Sequence, residues 1–174
     1  WQSMALECMQ ATTFTNSFKI VDMYMAMQVP APGQVLLYDE KIARAREIGK
    51  NVMEALNTKP EERKWLGDPD YGWCPNCHSN SLCLGEPQWK GLQYPIECTV
   101  CGAGGDLERT PDGKWKFVIA ANGLERDRTT EEGRGVHCDE IAETQGGFFM
   151  DPKKREEVAA KLPKYKELKF PELD

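Results

Sequence analysis

The chain has 174 residues and 40% hydrophobic content, enough for one domain or two small ones with a core. Its formal net charge of −6 speaks against a general nucleic-acid binder, which needs Lys and Arg to neutralise phosphates. No apolar run approaches the ~18 residues of a membrane span and no leader pattern is visible, so no membrane contact and a cytoplasmic location are expected.

Residue 1 is Trp rather than Met, so the chain is expected to be a processed product, a fragment or the ordered part of something longer. Ser3 to about Ser17 reads as a helix with Leu6, Met9 and Thr13 on one inner face. The stretch Lys19–Met27, "KIVDMYMAM", is short and nearly continuously apolar, which is the pattern of a strand buried on both faces of a parallel sheet. Helix is the rival reading there, because Met is a good helix former. Pro30–Gly33, "PAPG", breaks the chain. Asp39 then caps a helix to about Leu56, with Ile42, Ala45, Ile48, Val52 and Leu56 on one stripe.

Helix, buried strand and helix point to an α/β layered domain in residues 1–58. One parallel strand cannot satisfy its own backbone groups. A missing N-terminal portion or a partner subunit is therefore expected to complete the sheet, making the protein a homo- or hetero-oligomer in the second case. Residues 59–72, rich in charge and Pro, read as a linker. Residues 73–119 form a cysteine lobe with strand candidates "GLQYPIEC" and "KWKFVIA". Residues 120–174 read as a helical extension. Thr129-x-x-Glu132 resembles a capping box opening a helix through Ile141. Asp151-Pro152 opens another to about Leu162, ahead of an extended tail.

Four of the seven cysteines form two CxxC pairs, Cys74/Cys77 and Cys98/Cys101. An odd total with this spacing suits reduced thiols and metal better than a disulfide framework. Four thiolates close a tetrahedral Zn²⁺ shell and leave no open position for substrate, so the ion is expected to be structural. In a lobe this small it supplies folding energy that the core cannot. Iron in a rubredoxin-like Fe–S₄ centre is the alternative, since ligand softness does not separate the two metals; the lobe would then be an electron relay. Cys8, Cys83 and Cys138 fall outside the pattern and are expected to be small buried apolar groups. His78 reads as a surface residue or a support to the ligands. His137 and Cys138, neighbours on a helix, point in different directions. Residues 73–119 carry four Lys+Arg against five Asp+Glu, net −1, so Trp73, Trp89, Tyr94 and Trp115 are expected in the core rather than stacked on bases.

The stretch "FKIVDMYMAMQVPAPGQVLLYDEKIARAREIGKNVMEAL" resembles the last strand and last helix of the NADPH-dependent FMN reductase family, whose fold is flavodoxin-like. Some members carry a C-terminal zinc-ribbon-like lobe and a segment similar to "RTTEEGRGVHCDEI" here. The resemblance implies the C-terminal portion of a flavodoxin-like parallel sheet domain, followed by the zinc ribbon and the helical tail. It implies hydride transfer from NAD(P)H to FMN and electrons passed to an acceptor. That family grips the FMN phosphate in a Ser/Thr-rich loop after its first strand, and no such strand–loop–helix exists here. Trp1, Gln2 and Asn16 are the positions that map near a flavin. The alternative from another class is a non-catalytic zinc-ribbon interaction subunit docking on a larger enzyme.

Overall fold

The computed structural model describes residues 2–84 and 94–167, with the side chains of Gln2 and Ser3 set aside. They divide into one compact unit that runs to Arg134 and a second from Gly135 onward. The first unit holds helices α1 (Gln2–Thr15) and α2 (Asp39–Leu56) and strands β1 (Leu82–Leu84), β2 (Ile96–Cys98), β3 (Gly104–Arg109) and β4 (Trp115–Ile119). Helix α3 (Glu131–Phe149) starts in the first unit and continues into the second, which also contains α4 (Pro152–Lys166). The fold is mixed helix and sheet. The sheet is antiparallel throughout, in the order β1-β2-β3-β4.

The expected strand segments deliver β2 and β4. Strand β3, "GGDLER", looks like a turn in sequence, yet its glycines are what allow the pairing. A Cβ at Gly104 would lie 1.9 Å from the Tyr94 ring, and one at Gly105 would lie 2.0 Å from the Val118 carbonyl oxygen. Phe117, opposite Leu107 in the ladder, closes the core with Ile96, Val100 and Ala103. Trp73 and Trp115 are exposed, contrary to the expectation that they build this core, and Trp89 lies outside the described residues. The cysteines take their place: four of them sit in the same buried cluster.

Helix α1 turns a different face inward from the one expected. Met9 is exposed, while Glu7, Gln10 and Phe14 are buried, an i, i+3, i+7 stripe. The reason is tertiary: the cysteine lobe presents backbone groups that need polar partners. The Asn80 amide donates to the Glu7 carboxylate at 3.1 Å, and the Gln10 amide donates to the Cys77 carbonyl at 2.6 Å.

Ile20–Met27, expected as a sheet strand, belongs to no ladder among the described residues. Its backbone is tied to the rest of the unit where Leu66 N–H donates to Val21 O at 2.7 Å. Asp22 anchors it to α2. The carboxylate accepts from Arg44 through both oxygens and from Asn51 at 2.7 Å, and Asn51 also donates to Leu66 O at 3.2 Å. Burial alone would raise the Asp22 pKa. The hydrogen bonds from Arg44 and Asn51, with the Arg44 charge, outweigh it and hold the carboxyl below its usual range. Gly67 leaves room for this group, since a Cβ there would fall 2.4 Å from Asp22 Oδ1.

Helix α2 has the expected bounds, but Asp39 is its first residue rather than its cap; Tyr38 stands there without a side-chain cap bond. Asp39 and Glu40 favour the helix dipole from within the first turn. The face turned to the unit carries Arg44, Ile48, Asn51 and Ala55. The expected apolar stripe is left largely open: Ala45 is exposed, Val52 is 42% and Leu56 63% exposed.

In "DRTTEEG" the cap of α3 is Thr130, one residue later than the capping-box reading. Its hydroxyl accepts from Gly133 N–H at 3.1 Å, while Thr129 donates to Asp127 at 2.9 Å. The helix also runs past Ile141 to Phe149. Within the second unit, Asp151 caps α4 as expected, accepting from Lys153 and Lys154 amides. Pro163 sits inside α4, which continues past Leu162 to Lys166. No described residue from Gly135 onward is buried. Among the described residues no helix is long and apolar enough to cross a membrane.

Candidate metal centre

Two knuckles bring the cysteines together. In the first, His78 N–H donates to Cys74 O at 2.7 Å; in the second, Gly102 N–H donates to Cys98 O at 2.9 Å. Each turn closes through a residue in the left-handed region directly after the second cysteine, His78 at φ 58° and Gly102 at φ 80°. Glycine takes that conformation freely, and a Cβ at Gly102 would come within 2.9 Å of Arg126 O. His78 adopts it at a steric cost of about 1 kcal/mol. Its imidazole is held by a stack on Trp65, with centroids 3.8 Å apart, and by the Tyr71 carbonyl at 3.0 Å. The ring is therefore committed to Trp65 and Tyr71, in line with a support to the ligands rather than a ligand.

Cys74, Cys77, Cys98 and Cys101 are all buried, and their sulfurs lie within 4.8 Å of one another. Across the knuckles, Cys74 and Cys101 sulfurs are 3.6 Å apart and Cys77 and Cys98 sulfurs 3.5 Å. A Zn–S distance near 2.3 Å makes the edge of a regular tetrahedron about 3.8 Å, close to these separations. None of the seven cysteines is in a disulfide. The cluster can hold a metal ion. The thiols are also electrostatically frustrated by themselves. Hydrogen bonding with Cys101 lowers the pKa of Cys98 and of Cys74 and raises that of Cys77, while the bond with Cys74 raises that of Cys101. A divalent cation removes the competition, because all four then bind as thiolates.

Packing of the lobe continues past Ile119. Gly104 N–H donates to Gly123 O at 2.7 Å, and Arg128 N–H donates to Cys101 O at 2.8 Å. The Arg128 guanidinium points at the Thr99 and Val100 carbonyls, at 3.3 and 3.4 Å. It thus places a guanidinium, which also pairs with Glu97 at 3.9 Å, against the second knuckle, where four thiolates and one divalent ion would leave a net −2. Sequence reasoning missed Arg128, Gln10 and Glu7. Their partners lie 27 to 73 positions away in the chain, and no local spacing announces them.

The other singled-out residues stay apart. Cys8 and Cys138 are exposed and Cys83 is half-buried, not the buried groups expected. His137 pairs with Glu140 at 3.6 Å on its own helix. Asn16 is exposed and its amide donates to Thr12 O at 2.8 Å. Trp1 lies outside the described residues, and the Gln2 side chain is not described. Among the described residues, nothing gathers around these positions to cradle a flavin phosphate. A cleft of about 730 Å³ lies beside α1, with Met23, Tyr24, Met25 and Met27 on its wall together with the polar Glu7 and Arg44.

Fold and site together define a small antiparallel lobe whose four cysteines can hold a metal ion, with α1 and the Asp22-anchored α2 attached. The chain is similar to the flavone synthase cfoJ of Aspergillus candidus, 27% identical over 142 residues. The match covers 81% of this chain and 42% of that protein, so the chain spans less than half of the relative's length. No family model matches, and no solved structure does.

Proposed function

We propose that the chain is a zinc-stapled part or subunit of an FMN-dependent NAD(P)H oxidoreductase, and that it completes a flavodoxin-like sheet supplied from elsewhere. The observation that carries the zinc assignment is the closed, buried shell of four sulfurs within 4.8 Å. Such a shell has no place for a substrate, so the ion is structural and its chemistry is folding energy. Iron on the same four sulfurs is the alternative metal and would make the lobe an electron relay.

The oxidoreductase reading is supported by the resemblance of residues 18–56 and by what those residues leave open. An extended segment with no ladder partner among the described residues runs beside a cleft lined by Met, Tyr and charged side chains, and Ala45, Val52 and Leu56 of the α2 stripe are exposed. An added sheet would cover such surfaces. The flavin, when bound, supplies the hydride and electron chemistry. The described residues offer it no phosphate site, so its grip must come from the sheet-completing portion or partner. This chain contributes the zinc lobe and the open surfaces on α2 and the extended segment. A cytoplasmic location belongs to the same proposal.

The test is elemental analysis and visible absorbance of the protein purified with its natural companion sequence, and again as residues 1–174. Zinc in both and flavin in the first alone is the expected result. Zinc without flavin in either preparation would overturn the oxidoreductase reading in favour of a non-catalytic interaction subunit. Ferric thiolate absorbance would replace zinc by iron.

A further inference from the structure

Helix α1 is a poor helix on its own terms. It has 14 residues, no acidic residue in its first turn and no basic residue in its last. Isolated helices below about 12–15 residues are marginal in water. What holds α1 is the cysteine lobe, through the three buried residues of its inner stripe. Gln10 is 1% exposed, and its amide bonds the carbonyl of Cys77, itself one of the four cysteines. Glu7 accepts from Asn80 N–H, three residues beyond Cys77. Phe14 lies in the same buried cluster as all four cysteines. Gln10 Oε1 is buried with no hydrogen-bond partner among the described residues, so the docked position carries an uncompensated polar atom. Helix α1 therefore depends on the first knuckle keeping its shape. The knuckle in turn depends on the ion, because four of the nine residues in the buried cluster are the cysteines themselves.

We propose that α1 is a metal-dependent strap: it docks on the lobe through Glu7, Gln10 and Phe14 while the four cysteines are gathered on an ion, and is released when the ion leaves. This rests on the structural-metal reading above. Coupling between two events is reciprocal, so docking of α1 must also tighten the ion. Gln10 is then a positioning residue for the metal, acting through the Cys77 carbonyl. Helix α2 is held by a different group, Asp22 with Arg44 and Asn51, whose hydrogen bonds among the described residues run to one another and to the Met23 and Leu66 carbonyls, none to a cysteine. It should stay in place when α1 lets go.

The experiment is amide hydrogen exchange on the zinc-loaded full chain before and after removal of the ion with a chelator, with elemental analysis on the same samples. Expected is loss of protection across α1 and the cysteine lobe, with α2 retained. A second arm measures zinc affinity by chelator competition in Gln10→Leu, where a drop of about tenfold is expected for a residue that supports a ligand. Protection of α1 that survives chelation overturns the strap. So does equal loss over α2, which would show that the ion holds the unit as a whole. An unchanged zinc affinity in Gln10→Leu overturns the reciprocal coupling and the strap with it. Absence of metal from the starting protein would remove the structural-metal reading itself, and elemental analysis makes that failure distinct from the others.

Discussion

Replacing Asp22 by Asn is expected to detach α2 from the extended segment at a cost that follows from the hydrogen bonds. The carboxylate accepts from Arg44 with both oxygens and from Asn51, and the side chain is closed off from solvent. Asn keeps the shape but turns one acceptor into a donor, which then faces the donors of Arg44 or Asn51. The remaining bond to Arg44 also loses its charge assistance. Hydrogen bonds to charged groups contribute about 1.5–3 kcal/mol each, and breaking a buried ion pair costs about 3–5 kcal/mol. Arg44 keeps Glu47 at 3.3 Å and is one-fifth exposed, which places the loss at the lower end. A value of about 3 kcal/mol, over a hundredfold in the folded-to-unfolded ratio, is expected from urea unfolding followed by circular dichroism with zinc present. The pH dependence adds a sign. The folded pKa of Asp22 lies below its ordinary 3.8, so the unfolded chain takes the proton first. Stability contributed by the carboxylate is present above the unfolded value and is lost as pH falls through the folded one. The difference between wild type and variant should be flat near neutrality and shrink on acidification below about pH 4. A loss under about 1 kcal/mol, or a difference that grows in acid, would refute the reasoning.

Two further outcomes are expected. His78→Gly relieves left-handed strain of about 1 kcal/mol but forfeits the Trp65 stack and the bond to Tyr71 O, together about 2 kcal/mol; a net loss near 1 kcal/mol in urea with unchanged zinc content is expected, and a gain in stability contradicts it. Leu56→Glu, on the open stripe of α2, should reduce self-association of residues 1–174 in sedimentation and leave stability within about 0.5 kcal/mol; unchanged association would show that the stripe is not the contacting surface.

The sequence announces what is local. Two CxxC pairs in one short lobe suit a shared metal, so the four candidate ligands could be read directly, and they lie together in the fold. Capping chemistry places the start of α4 at Asp151, because a carboxylate next to Pro meets the free amides of a first turn. The failures are non-local. The inner face of α1 is Glu7, Gln10 and Phe14 because of what Cys77 and Asn80 present to it, and no periodicity of apolar residues encodes that. Strand β3 was hidden by glycines whose purpose is close approach to Tyr94 and Val118. The stripe on α2 is apolar as read, but in this chain Asp22 recruits the neighbouring face through Arg44 and Asn51.

The Pro- and charge-rich stretch from Lys59 to Gly72 has the composition at which proteases ordinarily nick a chain. Here both backbone groups of Leu66 are engaged, the amide with Val21 and the carbonyl with Asn51. The adjoining Trp65 lies on His78 of the first knuckle and donates to Asp68 O at 2.9 Å. A scissile bond must be drawn out in extended form to enter a protease cleft, so cutting after Lys64 requires these bonds to open first. Tryptic cleavage at that one bond is accordingly a clock for how often Trp65 and Leu66 leave these partners.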